Sequence, residues 1–416
     1  HRLRRRSDAH QRIRRHTVRP HRPFQTNVRT RLNLFRRYFR RPQTVLLRRG
    51  IFQIHLCVGI GIGLYVSIMG VTGSILVFRP ELDSLRLPRQ WREPRTSTPA
   101  DAGTVIALLN AAYPAVRIIS LEAPTSLNPT FVATLGGRGR AVVACDPTTG
   151  EVLGLVPPPE AWLTFVRRLH ETLLIRGRGR TWNGVGAALL LLLAATGLVN
   201  WWPGVLNWRQ ALKVGFQFGW RRINFDLHRA AGFWALLLVA SWAVSGIYFA
   251  WTRQVFDVVN SWSPVISARP PAVVAIPSEN VPEPDLDDLV ARASVIDPGT
   301  TWSGIFFPFS VRAPLEIIMR RAGGHGREYE DTVYFNPYTG EHLATWRYGV
   351  NESVGDWFIW LQIPLHFGTS WGLAIKVMWA IAGLVLPLLA ITGGIMYWNR
   401  VLRHWLNRLR LPRRTK

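Results

Sequence analysis

Four stretches of the chain carry no Asp, Glu, Lys or Arg: Gly50–Phe78, Thr181–Trp208, Ala230–Thr252 and Val377–Asn399. Each exceeds the roughly 20 residues that an α-helix needs to cross a hydrocarbon core. The pattern predicts a membrane α-helical protein with four transmembrane helices, at 50–79, 181–203, 228–252 and 366–399. The first stretch is too long for a removable signal peptide and lacks a small-residue cleavage site.

The net charge of +26 suggests a nucleic-acid binder until its location is mapped. Residues 1–49 hold 17 Arg against Asp8 alone. The loop 204–227 has Arg209, Lys213, Arg221 and Arg222 against Asp226, and the tail 400–416 has six Arg and one Lys with no acid. These three segments account for the whole excess. An even number of spans puts them on one side, which the positive-inside rule makes cytoplasmic. Both termini are therefore expected in the cytoplasm, the 1–49 tail disordered, and the partner of the basic tails membrane lipid with no nucleic acid. The segments 80–180 and 253–365 then fall outside. Cys57 lies in the first span and Cys145 in an external segment, so no disulfide framework exists, and a C-x-x-C-H haem attachment is absent.

The chain is an internal duplication. His55 precedes Thr72-Gly73 by 17 residues and His228 precedes Ser245-Gly246 by 17; His170 precedes Thr196-Gly197 by 26 and His366 precedes Thr392-Gly393 by 26. Trp201-Trp202 echoes Tyr397-Trp398. Outside the spans, Asp146-Pro147-Thr148-Thr149-Gly150-Glu151 matches Asn336-Pro337-Tyr338-Thr339-Gly340-Glu341, a turn signature in which Pro fixes φ and Gly accepts φ > 0. β-rich runs precede each turn, at 117–121, 130–135 and 141–144, then 301–307, 315–320 and 332–335. Amphipathic helical stretches precede those, at 102–112 and 286–293. Each external segment thus reads as a small α+β lobe, and the tandem unit is span–lobe–span, twice. Two copies inserted the same way up are related by an axis along the membrane normal.

That axis pairs His55 with His228 in a cytoplasmic layer and His170 with His366 in an outer layer. Two imidazoles facing each other across an axis suit a planar haem, whose iron takes axial ligands from opposite faces. Zinc wants three or four protein ligands, and copper handling favours Met or Cys, of which there are four and two. Helical rise brings Gly73 and Gly246 to the outer layer and Gly197 and Gly393 to the inner one. There they either admit a porphyrin face or permit tight helix packing. Arg167 and Arg168, with Arg176, Arg178 and Arg180, flank His170 as partners for haem propionates or an anionic substrate, or as a solvated basic face. Trp357 and Trp360 near His366 form a substrate wall or an aromatic belt.

These residues resemble the PepSY-associated transmembrane family, also called PiuB-like or iron-regulated membrane proteins. The resemblance is carried by Ile54-His55 leading to Gly70-Val71-Thr72-Gly73, Arg168-Leu169-His170-Glu171-Thr172-Leu173-Leu174, Asp226-Leu227-His228-Arg229-Ala230-Ala231-Gly232, Pro364-Leu365-His366-Phe367-Gly368, and both Pro-x-Thr-Gly-Glu turns, over about 48–400. It implies PepSY-like periplasmic lobes, a bacterial inner-membrane location and, as in some members, two b-type haems and reduction of ferric siderophores. The expected activity is then an oxidoreductase passing electrons from quinol or a separate reductase to a periplasmic acceptor. No nucleotide-binding loop is visible, because Gly59-x-Gly61-x-Gly63 lies within a span. Two other readings stay open: a haem-free module that binds or regulates a periplasmic partner, and a transporter of iron or siderophore. The second lacks acidic residues in the spans.

Overall fold

The computed structural model describes residues 46–93, 98–137, 140–266, 270–274, 284–322, 329–350, 352–368 and 370–410. The basic tail before 46 and the last six residues lie outside these, as does the expectation of disorder for the former.

The first repeat runs α1 (Leu46–Leu76), α2 (Arg79–Ser84), α3 (Ala102–Ala112), β1 (Ile118–Glu122), β2 (Phe131–Leu135), β3 (Ala141–Cys145), β4 (Val152–Leu155), α4 (Ala161–Thr172) and α5 (Gly179–Trp201). A short α6 (Trp208–Ala211) connects it to the second repeat. That repeat comprises α7 (Trp220–Trp234), α8 (Leu236–Ala250), α9 (Thr252–Trp262), α10 (Leu286–Ile296), β5 (Thr300–Phe306), β6 (Leu315–Arg321), β7 (Glu330–Phe335), β8 (His342–Trp346), α11 (Val354–Phe367), α12 (Gly372–Gly383) and α13 (Val385–Tyr397). A π-turn (Trp398–Leu402) leads into α14 (Arg403–Arg410).

Among the described residues, three helical runs are long and apolar enough to cross a membrane: Leu46–Leu76, Gly179–Trp201 and Gly372–Asn407. The pair α7 and α8 passes the same test when taken together, bent by 61°. The sequence pattern missed such breaks because uncharged runs do not register them. Pro387 has no N–H to offer the Gly383 carbonyl and its ring crowds that position, so the helix breaks at Leu384. His170 and His366 also stand apart from the helices that follow them. Leu173 and Leu174 adopt φ of 52° and 59°, and Gly368 adopts 63°, ending α4 and α11 before α5 and α12 begin. The straight 26-residue rise assumed from sequence is therefore a helix, a left-handed turn and a second helix.

The two lobes expected from sequence join into one antiparallel sheet of eight strands, ordered β4-β3-β2-β1-β5-β6-β7-β8. The join is β1 against β5, with Leu121 opposite Ile305, both fully buried. Two separate lobes would leave β1 and β5 as open edges with unpaired backbone groups. Pairing them satisfies both edges and merges one core beneath α3 and α10: Val105, Leu109, Phe131 and Val143 from one repeat, Leu289, Ile317, Met319 and Phe335 from the other. The Gly103 N–H donates to Asp287 Oδ1 across the two helices at 2.9 Å. Sequence reading also missed the outer strands β4 and β8. These follow the two matched turns, where Gly150 and Gly340 have φ of 76° and 69° and their N–H groups reach the Asp146 and Asn336 carbonyls.

A second core, built of Val66, Leu190, Ala194, Val239, Ala243 and Leu386, lies among the apolar helices. It separates two levels of histidine.

Candidate functional site

His55 on α1 and His228 on α7 face each other with ring centres 6.5 Å apart and planes at 83°. His170 on α4 and His366 on α11 do the same at 6.2 Å and 68°. The first pair lies toward the chain tails and the second toward the sheet. From His55 to Thr72, which touches His170, α1 rises about 26 Å.

Each imidazole is held the same way. His55 Nδ1 lies 3.0 Å from Thr196 Oγ1, His170 Nδ1 2.8 Å from Thr72 Oγ1, His228 Nδ1 2.9 Å from Thr392 Oγ1, and His366 Nδ1 2.8 Å from Ser245 Oγ. Every one of these hydroxyls donates its own proton to the carbonyl four residues earlier, at Leu192, Ile68, Leu388 and Ser241, at 2.6–2.8 Å. A hydroxyl has one proton. With that proton committed to the helix, it accepts from the ring, so the donor count assigns the Nδ1–H tautomer to all four histidines. Each Nε2 is then left as a lone-pair donor. Fixing a metal-binding tautomer through the other ring nitrogen is how second ligands orient imidazoles at metal sites.

The glycines beside these hydroxyls clear space for the rings. A Cβ on Gly197 would approach His55 Cε1 to 3.3 Å, and one on Gly73 or Gly393 would come as close to His170 or His228. Gly246 differs, since its Cβ would meet Ala187 at 3.1 Å. So three of the four glycines seat a histidine and the fourth seats a helix. The hydroxyls themselves went unrecognised in the sequence, although each precedes its glycine in the repeat frame.

The geometry can be tested against a metal-centred group. A metal–imidazole bond is about 2 Å and a ring centre lies about 1 Å beyond its nitrogen, so two rings on one ion sit about 6 Å apart. Both pairs match. Among the described residues no group of three or more His, Cys, Asp or Glu converges. Each level would thus offer two imidazoles to a metal-centred group whose other donors come from the group itself. All four imidazoles keep an accessible surface of intermediate size. Near the tail-side pair, the amide of Asn200 and the indole N–H of Trp201 are buried without a hydrogen-bond partner. They lie about one turn beyond Gly197 on α5 and are polar groups that a bound ligand would satisfy. The residues fit a bis-imidazole haem at each level.

Backbone contacts brace the sheet-side pair. Asn183 Nδ2 donates to the His170 carbonyl at 2.7 Å, and Trp379 Nε1 donates to the Leu365 carbonyl at 3.0 Å. Phe249 and Phe367 pack on the His366 ring. Asp226, nearly fully buried, pairs with Arg222 and Arg229 of the same helix at 3.0 and 2.9 Å, and Arg229 also donates to the Gln210 carbonyl at 3.1 Å, which ties α7 to α6 next to His228.

The other candidates are placed less decisively. Arg167 pairs with Glu171 at 3.2 Å on the same helix, and Arg168 is exposed. Trp357 and Trp360 contact edge to face at 5.5 Å, and Trp360 Nε1 is buried without a partner.

A family model described as the PepSY-associated TM region matches residues 52–400. Among curated proteins, none matches the chain.

Proposed function

The chain belongs to the PepSY-associated TM region family, and from that premise we propose that it is a di-haem b electron-transfer protein of a bacterial inner membrane. In this reading α1, α5, the bent pair α7–α8 and the run from α12 to α14 are four spans. The tails and the 204–227 loop are cytoplasmic and the sheet is periplasmic, which accords with the clustering of Arg and Lys in those tails and that loop.

The observation that carries the proposal is the pair of opposed imidazoles at each level, locked with Nε2 free and spaced for one metal ion. His55 and His228 hold the cytoplasmic haem, and His170 and His366 the periplasmic one. When bound, each haem iron supplies a one-electron couple. The protein's own part is to fix the ring planes through Thr196, Thr392, Thr72 and Ser245, and to keep the interval between the levels apolar through the core at Val66, Leu190 and Val239. Two one-electron centres stacked across a bilayer suit transfer from quinol or a separate reductase inside to an acceptor outside. A ferric siderophore is the acceptor we favour, because reduction weakens the hold of hard oxygen ligands on iron. The chain would then act as a ferric-siderophore reductase in iron uptake.

The test is an oxidised and dithionite-reduced absorption spectrum of the purified protein with pyridine-haemochrome quantification. We expect two b haems per chain, and one in each of the variants His55→Ala, His228→Ala, His170→Ala and His366→Ala. A colourless protein from cells well supplied with haem would overturn the proposal and leave a haem-free membrane module.

A further inference from the structure

At the tail side the second repeat builds a cleft from residues that differ from their counterparts in the first. It has a volume of about 460 Å³ and is lined by Trp220, Ile395, Trp398, Asn399 and Arg403, within the range of small-molecule sites of about 300–1,000 Å³. In the repeat frame the counterparts of these residues are Leu47, Val199, Trp202, Pro203 and Asn207. Pro203 cannot continue a helix, so α5 stops at Trp201. Asn399 stands in its place, and the chain runs on through the π-turn into α14. π-turns of this kind concentrate at functional sites.

The cleft adjoins the tail-side histidines. Ile395 is one turn beyond Thr392, which holds His228, and Trp220 precedes His228 by two turns. Its two indole walls suit a planar ring, and Ile395 suits an apolar tail. Asn399 Nδ2 donates to the Ile395 carbonyl at 2.8 Å, which leaves Oδ1 as an acceptor. Arg403 is exposed at the rim as a donor.

We propose that this cleft binds the head group of a membrane quinone, the quinol hydroxyl donating to Asn399 Oδ1 and the Arg403 guanidinium donating to a ring oxygen. The inference rests on the reading above, which needs an electron donor on this side. An aromatic ring with two oxygens uses the indoles, the amide and the guanidinium together, whereas a lipid phosphate uses the guanidinium alone.

The test is photolabelling of the full chain in phosphatidylcholine nanodiscs with a short-chain azidoquinone, mapped by peptide mass spectrometry. Label is expected on the peptides bearing Trp220 and Ile395–Arg403, displaced by excess unlabelled short-chain quinone. Arg403→Gln should weaken labelling by about fivefold, as loss of one hydrogen bond of about 1 kcal/mol implies, and Asn399→Leu should weaken displacement of the label by unlabelled short-chain quinol by as much. Label spread over all the lipid-facing helices, or displaced by phosphatidylglycerol and not by quinone, would overturn the site. The absorption spectrum of the same sample separates the two claims. Haem without specific label sinks the cleft alone, and specific label without haem sinks the electron-transfer reading alone.

Discussion

In the first repeat His55 and Thr72 ride one unbroken helix, α1, whereas their counterparts His228 and Ser245 stand on two helices bent by 61°. The first repeat carries its Thr196-Gly197 on the continuous α5, while the second reaches Thr392-Gly393 only after the break at Leu384. The backbones have diverged, yet the four Nδ1-to-hydroxyl distances stay between 2.8 and 3.0 Å. The difference teaches that the histidine seat is a local contract between two helices. It needs a hydroxyl committed to its own helix and room for a ring edge, and it tolerates a bend several turns away.

The sharpest test of equivalence lies where the repeats meet. Leu121 and Ile305 face each other at the join and both are fully buried. We expect Leu121→Asp and Ile305→Asp each to lower stability by about 3–5 kcal/mol, the cost of an unpaired buried charge. Denaturant or limited-proteolysis titration of the sheet measures it. Loss from only one of the two would mean that the halves fold as independent lobes.

A smaller effect is expected at the seats. Thr196→Val and Thr392→Val keep the side-chain shape and leave a ring N–H without its acceptor, at about 1–3 kcal/mol each. With haem bound as proposed, the tail-side redox midpoint should move with both, since the acceptor sets ligand basicity. Equal shifts would sharpen the equivalence of the repeats, and a shift from one alone would break it.

Glycine replacement should be weaker and should sort by neighbour. Gly197→Ala and Gly393→Ala place a methyl 3.3 Å from an imidazole carbon, a crowding worth about 1 kcal/mol. These should perturb the spectrum of the tail-side pair. Gly246→Ala meets Ala187 instead, so we expect a loss of thermal stability with the spectrum of the His170–His366 pair retained.

The smallest effect concerns thiol reactivity. Cys145 is fully buried, and burial pushes its thiol up to about 11. At pH 8 the native protein should therefore resist iodoacetamide at Cys145 and react there only after denaturation, by mass spectrometry. Rapid native labelling would show that the sheet opens on its own.

Much of this was legible beforehand because it is written in intervals. The 17- and 26-residue spacings identified which histidines belong together, and uncharged length marked the apolar helices. The Asp/Asn-Pro-x-Thr-Gly signature marked the strand-connecting turns, because only a few residue types accept those backbone angles. Other features were not legible, since they depend on partners distant in the chain. The hydroxyls were visible at Thr72 and Thr196, but nothing local says that they accept from His170 and His55, 98 and 141 residues away. The break at Leu384 hides in an apolar run because hydropathy is blind to a missing N–H.

By itself, then, the sequence determined a duplicated, apolar-helical chain and the four histidines that its symmetry pairs, because periodicity and charge exclusion are properties of the chain alone. Only the tertiary structure decided that the two lobes share one sheet, that three glycines seat imidazoles while the fourth seats a helix, and that the second repeat opens a cleft at its tail side. Each of these rests on surfaces brought together from both repeats, where unpaired strand edges, ring contacts and a proline on one side only take effect once the chain has folded.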